Sequence, residues 1–195
     1  MNWRNTPETY GLVSILVHWL VAAAVIGLFA LGLWMVALDY HDAWYYRAPA
    51  LHKDLGMLVL AVLVFRWLWQ RISPRPLPLA SHTAVARAAH ALLNLVLLAV
   101  IVSGYLVAGA DGSPVNLFGL AELPAIVLPL EQQEEIAGEV HWYLSLGLVA
   151  LAAIHALGAL FHHFIHHDRT LLRMLSISRP PHPEIDTPRK GVTTK

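Results

Sequence analysis

The chain contains no cysteine. Disulfides, iron–sulfur clusters and thiolate-bound metals are thereby excluded. Charge is scarce as well: 13% of the 195 residues are Asp, Glu, Lys or Arg, where a soluble domain carries about a quarter. So few charges cannot cover a water-facing surface, and nucleic acid is not an expected partner. What the chain has instead is apolar sequence, 57% hydrophobic with a mean hydropathy of +0.55, and 12 histidines. The length fits one domain. Several histidines lie within or beside apolar runs, where an ionisable side chain is costly and by default functional.

Four stretches are long enough to cross about 30 Å of hydrocarbon as helices: residues 12–38, 51–70, 88–110 and 139–165. The first has no charged residue from Trp19 to Leu38. It is too long for a signal-peptide core and is followed by no cleavage site, so it is read as retained. The second carries His52, Lys53 and Asp54 at one end and Arg66 near the other. The third is broken only by His90, Asn94 and Ser103, the fourth by His141, His155, His162 and His163. The expected fold is all-α, an integral membrane four-helix bundle over residues 1–176, with 177–195 a disordered tail rich in Pro, Thr and charge.

The connections set the expected topology. The second holds Arg71, Arg75 and Arg87 with no acid, and Arg169, Arg173, Arg179, Arg189, Lys190 and Lys195 follow the fourth span. Residues 111–139 hold six acids and no Lys or Arg. With Arg4 and Arg66, eleven of thirteen basic residues fall on one side. The positive-inside rule then places both termini and the middle loop in the cytoplasm. The apolar segments 117–120 and 124–130 of the third connection are expected to lie along the external membrane face.

In that orientation His18 lies in the inner half, whereas His52 and His141 open their spans near the outer face. His155 follows His141 by 14 residues. At 1.5 Å and 100° per residue, this is about 21 Å along the axis and roughly 40° short of four turns. Both histidines thus share a helix face at two depths. A haem iron takes one axial ligand from each side of its ring, and neutral imidazole is a common one. The fourth span can offer one histidine to each of two haems, with His52 the partner at the outer depth and His18 at the inner. Arg66 is also 14 residues past His52, and a buried guanidinium at that level needs an anion such as a haem propionate. Gly27, Gly32, Gly56, Gly147 and Gly158 would let a flat macrocycle approach, although glycine is common in membrane helices generally.

Other histidines compete for these roles. His162, seven residues after His155 and nearly on its face, could replace it as the inner ligand, but would sit close to the headgroups. His162/His166 and His163/His167 are i, i+4 pairs, a spacing that can bind zinc and that also suits a helix C-terminus. His90 has no spare partner and is expected to bond a propionate, a lipid or a quinone, or to serve structurally. His41, His82 and His182 carry no signal.

Together these pieces resemble the bacterial cytochrome b561 family. The match runs through Trp3-Arg4-Asn5-Thr6, Tyr10, Val17-His18-Trp19-Leu20, Leu51-His52-Lys53-Asp54-Leu55-Gly56 and Arg66-Trp67-Leu68-Trp69. It continues through Arg87-Ala88-Ala89-His90, Ser103-Gly104-Tyr105, Val140-His141, Ala153-Ile154-His155-Ala156-Leu157 and the stretch from His162-His163-Phe164 to Leu175. The resemblance implies two haem b groups in a bacterial inner-membrane protein that exchanges electrons with ubiquinone. It carries over the ligand pairs His18 with His155 and His52 with His141.

Some members are similar to superoxide oxidase, which passes electrons from periplasmic superoxide to the quinone pool. A cationic funnel would favour that anion. Lys53 and Arg47 could supply one, but Glu131, Glu134, Glu135 and Glu139 crowd the same side. The quinone is expected at the inner end near His90, Arg66 and Arg71. An alternative is the cytochrome b anchor of a periplasmic dehydrogenase or hydrogenase, with the acidic external segment docking a redox partner. A haem-free metal transporter fits less well, since no carboxylate lies inside a span.

Overall fold

The computed structural model describes residues 2–77 and 83–175. The expected tail, His82 and His182 lie outside the described residues. Four long helices run up and down: α1 (Leu12–Met35), α2 (Arg47–Ile72), α3 (Thr83–Ala108) and α4 (Gln133–Phe164). A two-stranded antiparallel hairpin, β1 (Val115–Leu117) with β2 (Ala121–Leu123), lies between α3 and α4, and a single turn, α5 (Leu172–Leu175), follows α4. All four long helices are apolar and long enough to cross a bilayer.

Each helix departs from the apolar run that marks it. Hydropathy reports where the chain meets hydrocarbon, whereas helical hydrogen bonding continues into the headgroup layer. Thus α2 starts at Arg47 with Pro49 in its first turn, where a missing N–H costs nothing. Similarly, α4 starts at Gln133 with Glu134 and Glu135 set favourably against the positive end of the helix dipole. At 32 residues, α4 is about 48 Å long. α1 stops at Met35, three residues short of the expected limit.

Packing is closest between α1 and α2 and between α3 and α4, and the two pairs meet through α2–α3 and α1–α4 contacts. Val21, Val59, Leu63, Leu97 and Leu148 form the central core, one or two residues from every long helix. Leu148 lies seven residues from both His141 and His155, and Val59 seven from His52. The core therefore plugs the bundle midway between two histidine levels, about 10 Å from each. Around the outside, Leu16, Ile26, Leu68, Leu95, Ile154 and Leu157 are exposed, as expected of a surface whose solvent is lipid.

The two ends differ. At the hairpin end, Gln133 is 5% exposed. Its Nε2 donates to the carbonyls of Leu106 and Ile126, and its Oε1 accepts from Leu128 N, so one side chain ties the apolar strap to α3. Phe118 and Gly119 take positive φ angles of 52° and 69° in the hairpin turn, and Phe118 N donates to Asp54 Oδ1 on α2 (3.0 Å).

At the other, basic end, Asn5 organises the N-terminal segment. Its Oδ1 accepts from Gly11 N and Ser14 Oγ, and its Nδ2 donates to Pro74 O. Gly11 is obligatory here, because a Cβ would lie 2.4 Å from the Arg4 carbonyl carbon. Arg173 donates to the carbonyls of Leu77 and Glu8, and Trp19 Nε1 donates to Met174 O (2.8 Å). The start of the chain, the α2–α3 connection and α5 thus lock together across this end.

Candidate metal centre

Two histidine pairs face each other inside the bundle. Near the hairpin end, the His52 ring on α2 faces the His141 ring on α4, with centroids 6.1 Å apart. Near the basic end, His18 on α1 faces His155 on α4 at 6.3 Å. A metal–imidazole bond of about 2.0 Å, with the ring centre about 1.1 Å further, sets two axial rings roughly 6.2 Å apart across one metal. Both separations fit that requirement. The His90 ring stands 5.1 Å from His155, too close for a metal between them, so His90 flanks the second pair.

The surroundings of the first pair suit ligation. His141 Nδ1 lies 2.9 Å from Val100 O and 3.2 Å from Ser103 Oγ. The Ser103 hydroxyl donates its own proton to Val100 O (2.9 Å). Nδ1 therefore meets only acceptors and carries the proton, leaving Nε2 as the bare, metal-binding nitrogen. α3 gives the ring room through Gly104, where a Cβ would lie 2.9 Å from His141 Cε1. His52 Nδ1 is buried with no hydrogen-bond partner among the described residues. Leaving it unpaired costs about 1–3 kcal/mol. A Cβ built on Gly27, Gly56, Gly147 or Gly158 meets no atom within 4 Å. Gly56 is one turn past His52 and Gly158 three residues past His155, so open space adjoins both pairs. The donor set and the space fit haem.

Arg66, half-buried on α2, is within electrostatic reach of His18, His90 and His155. Among the described residues it forms no salt bridge. Arg71 is exposed in the last turn of α2. Lys53 is also exposed; hydrogen bonds from Ser113 first, then the positive charge of Lys53, hold the Asp111 carboxyl below its ordinary range.

His162 joins neither pair and bonds elsewhere. Its Nδ1 donates to Asp168 Oδ2 (2.8 Å) and its ring lies 5.2 Å from His166. Burial raises the Asp168 pKa, but hydrogen bonds from Thr170 and His162 outweigh it and hold the carboxyl below its ordinary value. Among the described residues no group of three or more His, Asp or Glu comes together as a metal site. Val100 and Gln133 are supporting residues that reading the sequence missed, and Ser103 and Gly104, which it named only as part of the resemblance, gain a role from their contacts with His141.

A lipid-facing four-helix bundle with two internal histidine pairs and no cysteine defines a membrane cytochrome of the b type. The family model for prokaryotic cytochrome b561 matches residues 9–176. Cytochrome b561 homolog 2 of Escherichia coli (strain K12) is 48% identical over 182 residues, covering 91% of this chain and 97% of that protein. The probable superoxide oxidase CybB of Yersinia pestis is 28% identical over 184 residues, covering 88% and 98%. The chain belongs to the prokaryotic cytochrome b561 family, and is a haem b protein of a membrane.

Proposed function

We propose that this protein carries electrons across the bacterial inner membrane between two haem b groups and the ubiquinone pool. The observation that carries this reading is the pair of ring separations, 6.1 and 6.3 Å, at two levels of one bundle. His52 with His141 would hold the haem near the hairpin end, on the periplasmic side, and His18 with His155 the haem near the cytoplasm. Haem b between two imidazoles supplies a one-electron couple with no coordination position left for oxygen or substrate.

The remaining roles belong to side chains. The Val100 carbonyl and Ser103 hydroxyl hold the tautomer and angle of His141. Arg66 receives a propionate in an otherwise apolar interior, where an unpaired guanidinium would be costly. His90, beside His155, donates to the same propionate or to a quinone headgroup, with Arg71 at the mouth of that end. Quinone would enter from the lipid.

For the donor, the likeness to a probable superoxide oxidase supports superoxide, oxidised to dioxygen by loss of one electron. Arg47 and Lys53 give the hairpin end its positive charge, while Asp111 near Lys53 and the glutamates of α4 oppose steering of an anion. The same acidity favours a second reading, an anchor subunit that docks a basic periplasmic redox domain. A co-purifying subunit would support the anchor.

The reading is tested on purified protein. A dithionite-reduced spectrum should show a b-type α band, and pyridine haemochrome two haems per chain. Anaerobic addition of superoxide should reduce the haem and then added ubiquinone. A spectrum without the α band removes the cytochrome reading, and one haem per chain removes the paired assignment.

A further inference from the structure

We propose that the hairpin between α3 and α4 is a membrane wedge, whose tip Phe118-Gly119-Leu120 leaves water and seats in lipid against the outside of α2. The inference stands apart from the haem reading, since it concerns a surface that the histidine pairs do not use.

The hairpin has two unlike faces and an apolar point. Val115 pairs with Leu123 and Leu117 with Ala121, so these four share one face. On that face Val115 is 3% exposed, and β1 packs on α2. Asn116 pairs with Glu122 on the opposite face, and both are exposed. The ribbon thus keeps its polar side for water, but the tip does not follow this division. Leu120 is 89% exposed, more than any other large apolar side chain among the described residues, and Phe118 is 47% exposed.

Depth decides what covers them. Phe118 N donates to Asp54 Oδ1 at 3.0 Å, so the tip lies beside α2 at the level of Asp54. That level is three residues inside the apolar run that begins at Leu51, about 4.5 Å along the helix. Leu51 and Leu58, three residues before Asp54 and four after it, share its side of α2 and are exposed. The tip is therefore continuous with the lipid-facing surface of α2 and does not stand clear above the bundle.

The backbone of the tip is prepared for that place. At the edge of the hydrocarbon a turn is tolerated only where its N–H groups are bonded. All three are: Phe118 N to Asp54 Oδ1, Gly119 N to Asn116 Oδ1 at 2.7 Å and Leu120 N to Leu117 O at 2.9 Å. The choice of residue points the same way. Phe118 and Gly119 both take positive φ, 52° and 69°, a turn that favours Asn-Gly. A bulky aromatic side chain is strained there. Packing within the protein leaves the ring half-exposed, so burial in lipid is what offsets the strain. Seated in this way, the hairpin braces α2 close to the depth of His52, two residues before Asp54.

The chain lacks cysteine, so a nitroxide on one introduced thiol reads depth without interference. The full holoprotein is reconstituted in vesicles of phosphatidylethanolamine and phosphatidylglycerol. Relaxation of the label is then measured with oxygen, which concentrates in lipid, and with a water-soluble nickel chelate. At Leu120→Cys oxygen should act more strongly than nickel, as at Ile154→Cys on the exposed side of α4. At Glu122→Cys the order should reverse. Adding Phe118→Asn, which suits the turn, should shift the Leu120→Cys label toward nickel. Nickel access at Leu120→Cys equal to that at Glu122→Cys would overturn the wedge. A label shielded there from both reagents would overturn it in favour of a protein partner or a second copy. An unmoved label in the Phe118→Asn background would remove Phe118 from the anchor. The haem count, read separately by haemochrome, is untouched by any of these outcomes.

Discussion

Gly104 shows how tightly the hairpin-end pair is constrained. A methyl group there would sit 2.9 Å from His141 Cε1 and 3.1 Å from Nδ1, closer than packed atoms tolerate, and the ring is already tied to Val100 and Ser103. On the proposed two-haem reading, Gly104→Ala should therefore turn His141 off its axis and cost that haem alone, halving the haemochrome content and leaving the spectrum of the other. Gly32 makes a matched control. A Cβ there meets His52 Cε1 at 3.4 Å, an ordinary contact, so Gly32→Ala should keep both haems. Loss in both variants, or in neither, would contradict the account of Gly104. At this scale the sequence is half legible. The 14-residue interval between His141 and His155 has one geometric meaning on a helix, and the depths of His18 and His52 in their spans then name the partner that faces each. Ser103 and Gly104 do not, because their partner is the backbone carbonyl of Val100, and no residue type marks a carbonyl.

Among the elements, the N-terminal segment and α5 depend on bonds rather than on apolar burial. Asn5 makes three side-chain bonds, to Gly11 N, Ser14 Oγ and Pro74 O. At about 1 kcal/mol each, Asn5→Ala should destabilise the protein by roughly 1–3 kcal/mol, read as a lower thermal midpoint with an unchanged reduced spectrum. Asp168 adds a pH-dependent part. Its folded pKa lies below the ordinary value of 3.8. The stability it contributes is therefore fully present above that value and lost as pH falls through the lower, folded one. Asp168→Asn should weaken the fold at neutral pH, by about 1 kcal/mol, and the deficit should shrink as pH falls below 3.8 toward the folded value; a deficit that does not change with pH would remove the carboxylate from the explanation. The long helices were legible because hydrocarbon thickness dictates their length. Their ends were not, since α4 begins six residues before its apolar run, and two three-residue strands are too short to leave a periodic trace. Gln133, which ties the strap down, reads in sequence as one more polar residue in an acidic loop.

For the molecule as a whole, the separation of charge is the strongest constraint on how it sits in the membrane. Arg4, Arg66, Arg71, Arg75, Arg87, Arg169 and Arg173 lie toward one end of the bundle, and Asp111, Glu122, Glu131, Glu134, Glu135 and Glu139 toward the other. Turning the bundle over would place at least seven basic residues in the compartment that excludes them. The same inversion would reverse the direction in which a donor meets the histidine pairs, so orientation and function stand or fall together. The absence of cysteine makes this directly measurable, since a single introduced thiol is the only one in the protein. Ser113→Cys, exposed beside the hairpin, should react with a membrane-impermeant maleimide added to spheroplasts. Glu8→Cys, exposed at the basic end, should react only after the membrane is opened. The reverse pattern would put the His52/His141 pair on the cytoplasmic side and leave periplasmic superoxide facing the wrong haem. Labelling of both from outside would contradict the three crossings that separate Glu8 from Ser113 in the four-helix bundle.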